Sequence, residues 1–282
     1  MITSYNSIFN KNEEDVTNSD NLIIIDASWI LFVATHGNKV IGEDGQEVLN
    51  EKGNYTYEEK SFEDIKYHID NIMIDLFNTL GASKYIGYLD CNFDKNFRLK
   101  YYPEYKANRK GKEKPKFFKE AKEYLVEQWG LICVNGIEAD DAVNITRLNY
   151  KDSITVCVDK DLLNLTGTLM YNAKTNAFVN TDLNQAEYSF WFDMITGQSG
   201  DNIKGIPGKG KKFAEKLLTG KDINLMPGLV LGEYVQNFGI KLGLDEFYKN
   251  YKCLKILELL SEVPEESNFK FIPEPNLVPN GQ

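Results

Sequence analysis

Three carboxylates crowd the stretch Gly136-Ile137-Glu138-Ala139-Asp140-Asp141, where a short apolar run, Leu131 to Val134, gives way to a helical pattern that begins Ala142-Val143-Asn144. They fall in the first turn of the predicted helix, with Glu138 and Asp141 on one face. A helix N-terminus favours negative charge by about 0.3–1 kcal/mol per group. That is small beside the mutual repulsion of carboxylates pressed together in a partly dry site, and a divalent cation resolves the conflict. The alternative is an over-capped helix with its acids in water. Where the other acids lie decides between the two.

Asn21 opens the run Leu22-Ile23-Ile24-Ile25, a continuous β-branched segment that reads as a buried parallel strand and ends at Asp26. After a polar loop, Gly37 to Asn54, the spacing of Phe62, Ile65, Ile69, Ile72, Met73, Leu76, Phe77 and Leu80 predicts an amphipathic helix stopped by Gly81. Tyr85 to Leu89 repeats the strand pattern and ends at Asp90, and Ile154 to Val158 ends at Asp159-Lys160-Asp161. Strands alternating with helices predict an α/β fold on a sheet of parallel strands, whose ligands bind beyond the strands' carboxyl ends. Four strands deliver acids to that edge, so a shared acidic metal site is expected there.

Between the second and third strands the charge changes sign. Arg98, Lys100, Lys106, Arg109, Lys110, Lys112, Lys114, Lys116, Lys119 and Lys122 are interleaved with Tyr101, Tyr102, Tyr105, Phe117 and Phe118. Such cations pair with phosphates, and aromatic faces stack bases for about 1–3 kcal/mol each. Farther on, the end of a helix at Trp191 to Thr196 runs through Gly197-Gln198-Ser199-Gly200-Asp201 and Lys204-Gly205-Ile206-Pro207-Gly208-Lys209-Gly210 into Lys211-Lys212-Phe213 and a second helix. Two helices joined by a glycine-rich turn present bare N–H groups and lysines to a phosphate, holding a duplex backbone without reading its sequence. The turn nearly spells a P-loop, but Lys212 takes the Ser/Thr place and no apolar strand precedes Gly205.

The 282 residues carry a net charge of −10, with 42% hydrophobic and 12% aromatic residues, a globular composition whose segregated signs leave room for a polyanionic partner. Residues 1–20 lack the pattern of a signal peptide, and no apolar run is long enough to cross a membrane. Cys91, Cys133, Cys157 and Cys253 form no Cys-x-x-Cys and read as small core residues in a reducing cytoplasm. His36 and His68 lack a nucleophile motif, so imidazole chemistry is not expected to be central.

The strings Ile25-Asp26, Leu89-Asp90, Phe97-Arg98 through Tyr102-Pro103-Glu104-Tyr105-Lys106-Ala107-Asn108-Arg109, Gly136 to Asp141, Val158 to Asp161 and Gly200 to Gly210 resemble the flap endonucleases and 5′→3′ exonucleases, most of all the stand-alone bacteriophage enzymes. The resemblance runs in order over about residues 21–220. It implies a PIN-like nuclease domain over 1–182 with a helical, basic arch at about 92–122, then a helix–three-turn–helix, C-terminal helices and a proline-punctuated tail over 183–282. It implies one divalent ion among Asp26, Asp90, Glu138, Asp140 and Asp141, and a second held by Asp159, Asp161 and Asp201, with Lys106 and Arg109 beside the scissile phosphate. Where relatives have Gly-Asp-x-x-Asp, this chain has Gly197-Gln198-Ser199-Gly200-Asp201, which should weaken the second ion's site.

The resulting expectation is a Mg²⁺-dependent, structure-specific 5′ nuclease, with Mn²⁺ able to substitute and a monovalent cation at the Gly205–Gly210 turn. Two ions about 3.5–4 Å apart activate a water and relieve charge on the leaving oxygen. Tyr105 is expected to stack near the junction, Arg98, Lys100 and Lys110 to meet DNA from the arch, and Lys204, Lys209, Lys211 and Lys212, with the backbone of Gly205, Gly208 and Gly210, to grip duplex. Its partners would be DNA with a 5′ flap, nick or recessed end, or an RNA primer on DNA, in replication or repair. The protein is expected to be a monomer in the host cytoplasm. A PIN-type single-strand ribonuclease would share the acids but have little need of the duplex turn. A binding module with a degenerate site would have lost acids, and only Gln198 fits that. A haloacid-dehalogenase-like phosphatase would want Asp-x-Asp where Asp26 is followed by Ala27 and Ser28.

Overall fold

A run of three isoleucines gives the chain its central strand. Ile23 and Ile25 face one side of the sheet and Ile24 the other, and all three are fully buried. The computed structural model describes residues 21–37, 39–49, 56–111 and 113–279; Lys112, residues 1–20 and part of the Gly37–Asn54 loop lie outside them. The strand β1 (Leu22–Asp26) leads into α1 (Ser28–Thr35), and α2 (Phe62–Leu80) follows, opened by a Ser61–Asp64 capping box and closed by Gly81 at φ 57°. Next come β2 (Lys84–Asn92), the short α3 (Arg98–Tyr101), α4 (Phe118–Trp129), β3 (Ile132–Asn135), α5 (Ala139–Asn149), β4 (Ile154–Cys157) and α6 (Lys160–Leu163). Two strands the pattern did not announce, β5 (Leu169–Asn172) and β6 (Ala177–Val179), extend the sheet. Its order is β3-β2-β1-β4-β5-β6, parallel except for β6.

Helices α1, α2 and α4 cover the Ile23/Ile25 face, and α5 covers the Ile24 face with Val143, Ile145 and Ala142. The sheet thus has helices on both sides, and its carboxyl edge carries Asp26, Asp90 and Asp159 outward. A second cluster is built by α7 (Leu183–Thr196), the hairpin strands β7 (Gly197–Gln198) and β8 (Ile203–Lys204), α8 (Lys211–Leu218), α9 (Met226–Phe238) and α10 (Ile240–Leu254) around Trp191, Met194, Val230 and Tyr234. The last of these helices stops at Leu254, where Lys255 turns extended. Residues beyond it do not stay with this cluster. Leu257 and Phe269 pack on the Ile24 face, and β9 (Asn276–Leu277) pairs with the start of β2, so the tail closes the first unit. Cys157 and Cys253 are buried as expected, whereas Cys91 is exposed.

Candidate active site

The turn from β3 into α5 fixes the acidic cluster through one buried ion pair. Asp141 accepts from both guanidinium nitrogens of Arg98, at 2.6 and 2.8 Å, from the Glu138 N–H at 3.0 Å and from the Leu257 N–H at 3.0 Å. Arg98 also donates to the carbonyls of Cys253 and Lys255, and both side chains are buried. These contacts bear on two sequence expectations. The Asp141 oxygens are already satisfied by four donors, an arrangement that fits fixing the start of the helix. Arg98 reaches the cavity wall, but it is buried and its guanidinium is committed to four acceptors, so it presents no free charge.

The remaining acids line one cavity of about 940 Å³, with Asp26, Asp90, Glu138, Asp140, Asp159, Asp161 and Asp201 on its wall together with Lys106, Arg109 and Lys211. Burial raises the pKa of Asp26 to about 7, with the charges of Asp90 and Asp159 adding to it, although the Ser28 N–H donates to its carboxylate at 3.1 Å. Burial likewise pushes Asp140 well up, aided by Asp26, Asp159 and Glu138. The Asp90 carboxylate accepts from the Ala139 N–H at 2.8 Å and is raised by loss of solvation and by Glu138. Asp161 is raised to about 6 by burial and then by Asp159.

Glu138 goes the other way. Burial opposes its ionisation, but Lys106 and Arg98 outweigh it and hold its pKa at about 2. The Lys106 ammonium stands 2.6 Å from Glu138 and 3.7 Å from Asp201, and Arg109 donates to Asp201 at 2.5 Å. Lys106 sits in left-handed backbone at φ 53°, and its N–H donates to the Asp201 carbonyl, which turns the side chain into the cavity. Asn108 donates to the carbonyls of Ser199 and Gly200, so the base of the basic segment is tied to the β7–β8 turn. Just after β8, Gly205 is required sterically: a methyl there would stand 2.2 Å from the Ile195 carbonyl oxygen.

Tyr105 differs from its expected role. It is buried, and its hydroxyl donates to Glu138 at 3.0 Å, so it orients a carboxylate and offers no face for stacking. Lys100 is exposed but pairs with Glu266, and Lys209 pairs with Glu233 at 3.2 Å over the Phe213 ring. Lys110, Lys204, Lys211 and Lys212 are exposed. Asp193, on the last turn of α7, was not singled out by the sequence and also lines the cavity, beside Gln198. Its signal was faint, a lone acid at a helix end.

Whether such a wall suits a divalent ion is a question of donors. Asp26, Asp90, Asp140 and Asp159 form no ion pair among the described residues, and the buried Ser28 Oγ at the rim has no hydrogen-bond partner. An all-oxygen, mostly carboxylate set fits a hard divalent cation such as Mg²⁺. As the side chains lie, no group of three is drawn together tightly enough to enclose an ion among the described residues, and the cations Lys106 and Arg109 already hold Glu138 and Asp201.

The fold is the α/β fold of solved 5′-exonuclease and flap endonuclease structures. In particular, the chain superposes on the 5′-exonuclease of bacteriophage T5, seen as a single-site variant, with a TM-score of 0.52 at 17% identity, over 84% of this chain and 86% of that one. It superposes on flap endonuclease-1 from Methanococcus jannaschii with a TM-score of 0.51 at 14% identity, over 90% and 82% of the two chains. By sequence it is 28% identical over 115 residues to the exodeoxyribonuclease of Enterobacteria phage T3, and 32% identical over 141 residues to DNA polymerase I of Pseudomonas aeruginosa. These matches span 38% and 15% of those relatives' lengths. No family model matches the chain.

Proposed function

We propose that the protein is a divalent-metal-dependent, structure-specific 5′ nuclease that hydrolyses phosphodiester bonds at DNA 5′ ends and flaps. The observation that carries this reading is the meeting, in one cavity, of eight acids, Asp193 among them, with Lys106 and Arg109. Asp26, Asp90, Glu138 and Asp140 would hold one Mg²⁺, and Asp159, Asp161 and Asp201 a second, with Mn²⁺ able to replace either. When bound, such ions activate a water and neutralise charge on the departing oxygen.

The chain's own residues do the rest. Lys106 and Arg109 are held at the cavity wall, where they offset the carboxylates' repulsion of a phosphate and can meet charge that develops on it. Tyr105 keeps Glu138 aimed inward, and the Arg98–Asp141 pair keeps the α5 start in place. Lys204, Lys211 and Lys212 present exposed charge to a duplex backbone at the start of α8, with a monovalent cation at the Gly205–Gly210 turn. Lys110, Lys114 and Lys119 are exposed and would line an arch that admits a single-stranded 5′ end. A flap endonuclease of bacteriophage T5, TM-score 0.50 and 19% identical over 83% of this chain, is described in complex with DNA and metal ions, which supports this reading. No described helix is long and apolar enough to cross a membrane; we place the protein, as a monomer, in the host cytoplasm.

The test is a denaturing gel of a 5′-labelled flap duplex beside matched single-stranded RNA, with and without Mg²⁺. Metal-dependent cutting near the flap junction, with the RNA spared, is expected. Degraded RNA and an intact flap would instead indicate a PIN-type ribonuclease.

A further inference from the structure

Gln198 sits between two carboxylates. Its side-chain nitrogen donates to both oxygens of Asp161, at 3.1 and 3.2 Å, and to Asp193 at 2.8 Å. Carboxylates only accept, so the amide must present its nitrogen to them, and its oxygen accepts no hydrogen bond among the described residues. An amide carries no net charge and leaves the repulsion between Asp161 and Asp193 in place. The nearest cation, Lys160, reaches them only at 3.7 and 3.9 Å with its side chain 71% exposed, an arrangement that offsets little.

Asp193 is also badly placed for stability. It stands in the last turn of α7, where the helix dipole disfavours an anion, and beside another acid. Yet it is only 22% exposed and faces the same cavity as Asp159 and Asp201. A neutral bridge between two acids, an unused hard oxygen and an acid set against its own helix dipole together describe a place for a divalent cation.

We propose that Asp193 supplies an anionic oxygen to the second ion of this cavity, and that Gln198 is a positioning residue that holds Asp161 and Asp193 side by side for it. Position 198 itself brings no charge, and Asp193 brings it from the last turn of α7, five residues earlier. The inference rests on the nuclease reading only for the presence of divalent ions in the cavity.

The experiment is a Mn²⁺ titration of the full chain followed by the loss of the free-ion electron paramagnetic resonance signal, with thermal melting in EDTA as a check on folding. The wild type should bind two Mn²⁺. Asp193→Asn should weaken one site by about 10–100-fold and spare the other, and adding Gln198→Asp to that variant should restore the lost affinity. Gln198→Leu, which keeps every charge, should weaken the same site, and it serves if Asp193→Asn does not fold. One bound ion in the wild type, unchanged affinities in Asp193→Asn, or a double variant that fails to recover would overturn the proposal. Two Mn²⁺ bound with the flap uncut would defeat the nuclease reading alone; a cut flap with Asp193→Asn binding unaltered would defeat this inference alone.

Discussion

Arg98 and Asp141, 43 residues apart, close a bidentate ion pair at 2.6 and 2.8 Å with neither side chain exposed to more than 2%. Removing one member of a buried pair strands the other, a loss of about 3–5 kcal/mol. Asp141→Asn is therefore expected to unfold at a clearly lower urea midpoint in EDTA, and to lose cleavage as a consequence. A variant that keeps the wild-type midpoint and loses one Mn²⁺ would return Asp141 to the ion-binding set.

Lys106 competes for Glu138 with any ion that Glu138 would hold. Replacing the ammonium by a methyl thioether frees the carboxylate for the ion while it removes charge from the phosphate's surroundings. Lys106→Met should bind Mn²⁺ more tightly and cut a flap about 10²–10³-fold more slowly in single turnover. Looser or unchanged Mn²⁺ binding would show that the pair does not oppose ion entry.

Much of this was legible because strand-end acids follow from local pattern. Ile23 to Ile25 and Tyr85 to Leu89 announce buried parallel strands, and Asp26 and Asp90 follow them at the sheet's carboxyl edge. What could not be read was direction. Glu138, Asp140 and Asp141 look alike in sequence, yet Asp141 turns inward because Arg98 and the Leu257 N–H, brought from distant segments, offer it three hydrogen bonds beside the local one from the Glu138 N–H. Tyr105 and Arg98 sit in a basic, aromatic stretch that looks solvent-facing, and only the packing of Ile203 and Cys253 around Tyr105 buries them. Strands β5 and β6 are short and paired at the sheet's edge, so their sequence carries little periodicity.

The raised pKa of Asp26 makes a signed prediction about stability. Its folded value, about 7, lies above the ordinary 3.8, so its contribution is fully present below about pH 3.8 and is lost as pH rises through 7. In EDTA, the melting temperature of the wild type relative to Asp26→Asn should fall between pH 4 and pH 7 and level off above. Mg²⁺ should raise the wild-type melting temperature more at pH 7.5 than at pH 5, because the ion competes with protons for the same oxygens. Parallel curves for the two proteins across that range would place the Asp26 carboxylate in ordinary solvent.

The lysines at the start of α8 are not equivalent. Lys209 is committed to Glu233 and to the Phe213 ring, while Lys211 and Lys212 are exposed on the first turn of the helix, where its N-terminus adds positive potential. Each lysine that neutralises a phosphate steepens the salt dependence of duplex binding by about 0.9 in log–log slope. Lys211→Ala with Lys212→Ala should therefore lower the slope by about 1.8, whereas Lys209→Ala should leave it nearly unchanged because Glu233 already holds that charge. Duplex affinity measured by fluorescence anisotropy from 50 to 200 mM salt separates the two. A full unit lost on removing Lys209 alone would mean that DNA displaces Glu233, and an unchanged slope in the double variant would take the duplex away from the α8 start.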